Sequence, residues 1–410
     1  MTSTPRFHFH VALVVLVWSC LSGAAFAQAG GANPTVRPVV FKPLQAAQEA
    51  LKNNQPQQAV TLAKEALSMP QLTAWELISI QRTLAVAALN AKDFDQASAS
   101  LEALLAQPEI LPADRRLFLE SLAQARLQKN DHPGVVKWAR QYQAEGGSKP
   151  AMRFVLLQSL SHLNAHAELI SQVQAWMKLD ASAGQKTSEA ELRSLAVSYS
   201  KLKDMGGYEA TLLQLLENYP SKAFWAEAIA RQAQKPNSNP RFELDMYRLL
   251  EDTDNLEEAA EFIEMVDLAL KAGLPAEAQR VVELGYKKGV LGQGGEAAAH
   301  LKLRQQIATK LTEDEKLFEQ LERGAKDGNS WAAVGDVLLS KQLWDKAKTA
   351  YTQALNMGNL RREAEVHLHL GVALFKLGQL EQCRKMLATI KDDPTALALA
   401  NLWRIRTLSP

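Results

Sequence analysis

The pattern that decides the fold is clearest in residues 331–355, WAAVGDVLLSKQLWDKAKTAYTQAL, and recurs in residues 370–387, LGVALFKLGQLEQCRKML. Each stretch has two small residues twelve positions apart, Gly335 with Ala347 and Gly371 with Cys383. Around them, apolar residues recur at the three- and four-residue spacing of amphipathic helices. Small residues where two antiparallel helices cross allow close approach, which keeps their separation fixed. The pattern therefore predicts a repeated helix pair, A followed by B.

The same separation recurs towards the N-terminus, at Ala85 with Ala97 for example. It defines six well-matching units: 40–68, 78–105, 116–142, 259–286, 328–357 and 364–391. Two weaker units have their helix-B markers near residues 170 and 210, and the longest gaps leave room for two degenerate units. One is expected over Phe224–Glu251, where a Lys235–Pro240 loop separates two helices, and one over Glu296–Arg323. We therefore predict about ten helix pairs over residues 40–391 and a capping helix over 395–408, which covers the apolar face of the last pair.

The better units resemble the tetratricopeptide repeat, whose pattern is W-x2-L-G-x2-Y and then A-x3-F over about 34 residues. Trp331, Gly335 and Ala347 occupy its marker positions, and Tyr351 takes the place of the Phe. The resemblance implies an all-α fold, a right-handed superhelical solenoid. It also implies a scaffold that binds proteins or peptide segments in a concave groove lined by the A helices.

The first 27 residues read as a secretory signal peptide. Arg6 precedes an apolar run from Val11 to Leu21, and Ala25-Phe26-Ala27 forms a small-x-small cleavage site. We predict cleavage after Ala27, a flexible lead-in over 28–39 and a periplasmic location. Two alternatives stay open: an uncleaved membrane anchor, although the run is short for a bilayer, and a lipid attached at Cys20.

Composition argues against two classes of partner. Lys and Arg number 46 and Asp and Glu 45, and loss of Arg6 with the signal peptide makes the two equal. Without a basic excess, neither nucleic acid nor an anionic membrane surface is an expected partner. Cleavage would leave Cys383 as the sole cysteine, so no internal disulfide is expected in the mature chain.

No catalytic, cofactor or metal residue is predicted. His367 and His369 lie two apart on a helix and would not face each other. His162 and His166 have an i,i+4 spacing but lack the HExxH context of a zinc site. Cys383 occupies a packing position. An enzyme with its site in the divergent region 144–251 is the alternative from another class.

Partner-binding residues follow from the repeat register implied by the resemblance. The candidates that would face the groove are Arg82, Glu120, Gln124, Arg193, Asp267, Asn329, Asp336 and Phe375. Basic and acidic positions are mixed, which suits an extended or helical peptide segment recognised by scattered charge pairs and apolar pockets.

A finer resemblance covers the middle of the chain. It is carried by Tyr219–Lys222, Phe224-Trp225, Leu244–Leu249, Ala272–Ala278 and Gly289–Gly292. These segments are similar to proteobacterial periplasmic tetratricopeptide proteins, some of them regarded as accessories of TonB-type energy-transduction systems. The resemblance implies a role beside outer-membrane transport. Alternatives are a scaffold for cell-wall or outer-membrane assembly, and self-assembly through the solenoid ends.

Overall fold

The computed structural model describes residues 36–409. The predicted signal peptide and most of the lead-in, residues 28–35, lie outside the described residues. All regular structure between residues 36 and 409 is helical, and that range contains no strand. The described residues divide into two compact units, 36–172 (unit 1) and 173–409 (unit 2).

Twenty α-helices follow one another over the described part of the chain. Those that begin in unit 1 are α1 (Pro38–Lys52), α2 (Pro56–Leu67), α3 (Ala74–Asn90), α4 (Phe94–Leu105), α5 (Pro112–Gln128), α6 (His132–Ala144), α7 (Pro150–His162) and α8 (His166–Ser182). Those of unit 2 are α9 (Glu189–Lys201), α10 (Met205–Asn218), α11 (Lys222–Ala233), α12 (Glu243–Asp252), α13 (Ala259–Lys271), α14 (Pro275–Lys287), α15 (Ala297–Gly324), α16 (Gly328–Ser340), α17 (Trp344–Met357), α18 (Glu363–Lys376), α19 (Leu380–Leu387) and α20 (Pro394–Arg406). Short 3-10 turns at Pro240–Phe242 and Gly294–Glu296 precede α12 and α15.

One backbone turn recurs between the A and B helices. Eight of these connections contain a residue with positive φ: Asn54, Lys92, Asn130, Asn164, Lys203, Gly273, Gln342 and Gly378. The left-handed conformation strains most side chains, so its recurrence shows that the same tight turn is built in each pair. The α11–α12 connection differs, because the predicted loop Lys235–Pro240 lies there.

Aspartates begin several B helices. The carboxylate of Asp93 accepts a hydrogen bond from the Gln96 amide at 3.1 Å, and Asp131 accepts one from Gly134 at 3.0 Å. Asp204 does the same with Gly207 at 2.9 Å. Each bond satisfies an amide that the first helical turn leaves unpaired. The polar residue that follows each turn therefore fixes where helix B starts.

The glycines of the deciding pattern have the predicted packing role. A Cβ atom on Gly335 would lie 2.5 Å from the ring of Tyr351, which is fully buried in α17. A Cβ on Gly371 would collide in the same way with Leu387 of α19. Close approach of α16 to α17 and of α18 to α19 therefore requires glycine at both positions.

The predicted helix pair over Glu296–Arg323 is wrong, since the region forms one continuous helix of 28 residues, α15. The physical reason is local: residues 297–323 contain neither glycine nor proline, and Ala, Leu, Lys, Gln and Glu predominate. These residues favour helix, and nothing between them ends it. The described pairs therefore number nine, with α15 and α20 single.

Unit 2 brings together helices that are distant in sequence. Asp252 at the end of α12 pairs with Lys376 of α18 and accepts from Arg406 of α20 at 2.8 Å. The Asn239 side chain donates to Asp393 at 2.9 Å just before α20. In an open array each repeat contacts only its neighbours. In unit 2, α20 packs on α18 and α19 and also on α10 and α12.

Candidate functional site

Three of the predicted groove residues lie in unit 1. Arg82 of α3 pairs with Asp114 of α5 at 2.5 Å. Glu120 is buried and accepts from the Lys149 ammonium, 2.6 Å away at the start of α7. Gln124 is half-buried. Arg82 and Glu120 thus link successive A helices. Their role in partner binding stays a prediction.

A shallow cleft of about 40 Å³ lies between α3 and α5. We call it the α3–α5 cleft. The residues that line it include Arg82, Val86, Leu89, Leu117, Phe118 and Ser121. Val86, Leu89 and Leu117 are only half-buried, so the cleft presents apolar surface. The Arg82 guanidinium lies 5.3 Å from the centre of the Phe118 ring. Its Nε has no hydrogen-bond partner among residues 36–409. The cleft is therefore lined by apolar side chains and by the Arg82–Asp114 ion pair.

Three further predicted groove residues lie on the surface or in turns of unit 2. Arg193 is exposed, pairs with Glu189 at 2.7 Å and lies 4.7 Å from the centre of the Phe224 ring. Asp267 is half-buried on α13. Asn329 holds a turn, because its amide nitrogen donates to the Asn359 carbonyl at 3.1 Å. Nothing in these contacts tests their predicted role.

The last two candidates take part in interior contacts of unit 2. Phe375 is 9% exposed and packs on Trp403, with ring centres 5.2 Å apart. Asp336 accepts hydrogen bonds from the Tyr351 hydroxyl at 2.7 Å and from the His369 ring at 2.8 Å. Both side chains therefore stabilise unit 2 in the unbound chain.

Asp336 belongs to a network that we call the charged core: Asp245, Arg248, Glu277, Asp336 and His369. Arg248 of α12 donates to both carboxylate oxygens of Glu277 on α14, at 2.9 and 2.6 Å. It also donates to Asp245 at 2.8 Å. The His369 ring on α18 lies between Asp245, at 3.0 Å, and Asp336. Four helices thus meet through ionised groups that, apart from Asp336, are at least nine-tenths buried.

Within the charged core, His369 and Asp245 hold each other in their charged forms. Burial lowers the pKa of His369, but the carboxylates of Asp245 and Asp336 outweigh burial and raise the pKa to about 10. Burial raises the pKa of Asp245, and the charges of His369 and Arg248 outweigh it and hold the pKa at about 2. Each group is therefore ionised near neutral pH because of its neighbours.

Ligand atoms of Asp336, Glu365 and His369 lie within 4.8 Å of one another, a spacing that a metal ion could use. Both ring nitrogens of His369 face carboxylates. The raised pKa keeps both protonated, whereas a metal ligand needs a free lone pair. The arrangement fits an ion network better than a metal centre.

The other reactive side chains also have structural surroundings. Burial raises the pKa of the Cys383 thiol to about 11, and the thiolate is the nucleophilic form of cysteine. His162 stacks on His132 with ring centres 4.3 Å apart. His367 lies 3.2 Å from the Thr389 hydroxyl, on another side of α18 from buried His369.

Sequence reasoning missed Asp245, Arg248 and Glu277. Arg248 and His369 are 121 positions apart, so no local spacing connects them. The one available signal is the charge of Asp245 and Arg248, i and i+3 on a short helix whose apolar residues include Leu244, Met246 and Leu249. Charged groups on a buried face need partners, but the sequence does not say which.

No helix between residues 36 and 409 is long and apolar enough to cross a membrane.

The fold is an all-α array of consecutive helix pairs, similar to a tetratricopeptide-repeat solenoid. Residues 82–150 and 333–382 match the family model described as tetratricopeptide repeat. Each unit thus contains a stretch that matches this model, and the residues that line the α3–α5 cleft all lie within the first stretch. No curated protein matches the chain.

Solved structures with similarity to the chain include a tetratricopeptide repeat protein from Parabacteroides merdae ATCC 43184. It is 10% identical, with 82% of this chain and 99% of that chain covered and a TM-score of 0.33. Yeast Tom70 is 10% identical to this chain. The match covers 90% of this chain and 96% of Tom70, with a TM-score of 0.25. NprR, solved in complex with its cognate peptide NprX, is 10% identical to this chain. The match covers 90% of this chain and 84% of NprR, with a TM-score of 0.23.

Proposed function

We propose that the chain is an exported scaffold that binds a peptide segment of another protein in the α3–α5 cleft. The observation that carries the proposal is the cleft itself, in a stretch that matches the tetratricopeptide repeat. Half-buried Val86, Leu89 and Leu117 would receive apolar side chains. The Arg82–Asp114 ion pair, which also lines the cleft, would contact polar groups of the peptide.

Export to the periplasm forms part of the proposal, and the sequence of residues 1–27 supports it. A role as an accessory of a TonB-type envelope transport system rests on likeness over Tyr219–Gly292 alone. A scaffold for cell-wall or outer-membrane assembly would use the same cleft. The identity of the bound protein distinguishes these pathways.

The test is an envelope pull-down with the mature chain and two matched variants. Ser121→Arg places a long side chain in the α3–α5 cleft, and Ala99→Arg places the same side chain on an exposed position of α4. We expect Ser121→Arg to weaken binding of the recovered partner by roughly 30-fold or more, the scale of a disrupted interface centre. Ala99→Arg should bind as the wild type does.

Titration of the purified partner, with circular dichroism to verify helix content, gives the measurement. Equal affinity of the two variants would mean that the partner binds elsewhere on the chain.

A further inference from the structure

Two histidines meet where one helix pair of unit 1 packs on the next. His132 begins α6 and His162 ends α7. Their imidazole rings lie face to face, with ring centres 4.3 Å apart and planes 7° from parallel. The last residue of α7 thus packs on the first residue of α6, and the contact joins the pair α5–α6 to the pair α7–α8.

The His132 ring is held against α7 at two points. Its Nδ1 lies 3.3 Å from the hydroxyl oxygen of Ser159, which is fully buried, and its face lies on His162. Ser159 and His162 are three positions apart and therefore share one face of α7. His132 is half-buried and His162 is exposed, so protons can reach the pair from solvent. Movement of the His132 ring would release the last turn of α7 from α6.

The charge of this contact changes in mild acid. Histidine is the side chain whose charge ordinarily changes between about pH 5 and 8. When both rings are neutral, the stack is a favourable aromatic contact. When both carry a proton, two positive charges face each other across 4.3 Å and repel. The same contact therefore stabilises the junction near neutral pH and destabilises it in acid.

The charged groups that face the pair leave this repulsion in place. Burial and the neighbouring His162 lower the pKa of His132 from its ordinary value of 6.5, and the carboxylate of Asp131 opposes them only in part. Asp131 is already engaged, since it accepts from the Gly134 amide at 3.0 Å and pairs with Arg126 of α5 at 3.3 Å. The contribution of His132 to stability is therefore complete above pH 6.5 and is lost as pH falls below that value.

We propose that the stacked histidines are an acid-sensitive contact between successive helix pairs. Near neutral pH the stack holds α7 against α6. In mild acid the doubly protonated pair separates, and the last turn of α7 opens. The proposal is independent of peptide binding in the α3–α5 cleft, because neither histidine lines that cleft.

Amide hydrogen exchange of the mature chain at pH 8 and pH 5 tests the proposal, with correction for the intrinsic exchange rate at each pH. We expect the opening constant of the amides in the last turn of α7 to rise by about fivefold in acid, the effect of two like charges about 4 Å apart in water. The rise should be smaller in about 1 M salt, because His162 is exposed and salt screens exposed charges.

Two variants and one titration identify the groups responsible. His162→Phe keeps an aromatic ring against His132 but cannot take a proton, and should remove the rise. His166→Gln is the matched control, because His166 begins the adjoining helix α8 but is not part of the stack, and it should keep the rise. NMR titration of the His132 ring should give a pKa below 6.5 in the wild type and a higher value in His162→Phe.

Four results would overturn the proposal. They are an opening constant that is equal at the two pH values, a rise that persists in His162→Phe, a rise that disappears in His166→Gln, and a His132 ring that titrates at or above pH 6.5 in the wild type. The ring titration uses the unaltered chain, so it decides the question even if His162→Phe folds poorly.

Discussion

Replacement of Glu277 by alanine is expected to destabilise unit 2 by about 3–5 kcal/mol, the cost of removing one partner from a buried ion pair. Glu277 accepts two hydrogen bonds from Arg248, and the side chains are 4% and 9% exposed. The variant leaves the Arg248 guanidinium buried with Asp245 as its remaining carboxylate partner. The free energy of opening of α12 and α14, from amide hydrogen exchange, measures the effect.

Glu283→Ala on the same helix is the matched control. Glu283 also accepts two hydrogen bonds from an arginine, Arg304, at 2.6 and 2.5 Å. Both of those side chains are 42% exposed, so solvent screens the pair and its loss should cost much less than the loss of the buried pair. If the two substitutions had similar small effects, the buried ion pair of the charged core would contribute no more to stability than an exposed ion pair does.

His369 should make the stability of unit 2 depend on pH. Its folded pKa of about 10 lies above the ordinary value of 6.5. Its contribution is therefore complete below pH 6.5 and is lost as pH rises towards 10. For Asp245 the folded pKa of about 2 lies below the ordinary value of 3.8, so its contribution is present above pH 3.8 and is lost as pH falls towards 2. We expect the opening free energy of α18 to fall by a few kcal/mol between pH 6.5 and 10.

His369→Gln should remove most of that fall, whereas His367→Gln should leave it in place. Burial lowers the pKa of His367, which therefore titrates below the pH range in question. Amide exchange across this range checks the prediction, and NMR titration of the His369 ring should give its pKa directly. An unchanged pH profile in His369→Gln would assign the effect to other groups.

The parts of the fold that depend on neighbouring residues could be predicted from the sequence. The Gly335–Ala347 spacing locates α16 and α17, and the Lys235–Pro240 loop separates α11 from α12 as predicted. The predicted break within Glu296–Arg323 is wrong because only the repeat length suggested it. The residues in that segment predominantly favour one continuous helix. In each case, the residue types within the segment itself determined where a helix ends or continues.

The interior of unit 2 could not be predicted in the same way. Lys376 meets Asp252 across 124 positions, and a repeat register that assumes contact between neighbours contains no information about such a pair. The register predicts a groove position for Asp336 and Phe375, but it does not predict their contacts with His369 and Trp403. Arg82 does line a cleft, although its partner Asp114 could not be identified from spacing.

The most direct test of the central claim, that the A helices of unit 1 bind a peptide segment, is site-specific photo-crosslinking in living cells. A benzoylphenylalanine replaces Leu117 in the α3–α5 cleft or Leu163, which is 42% exposed and lies outside the cleft. We predict that the Leu117 position crosslinks to a single partner protein, through one continuous peptide segment, and that the Leu163 position does not. Crosslinking of that partner from Leu163 but not from Leu117 would contradict the claim.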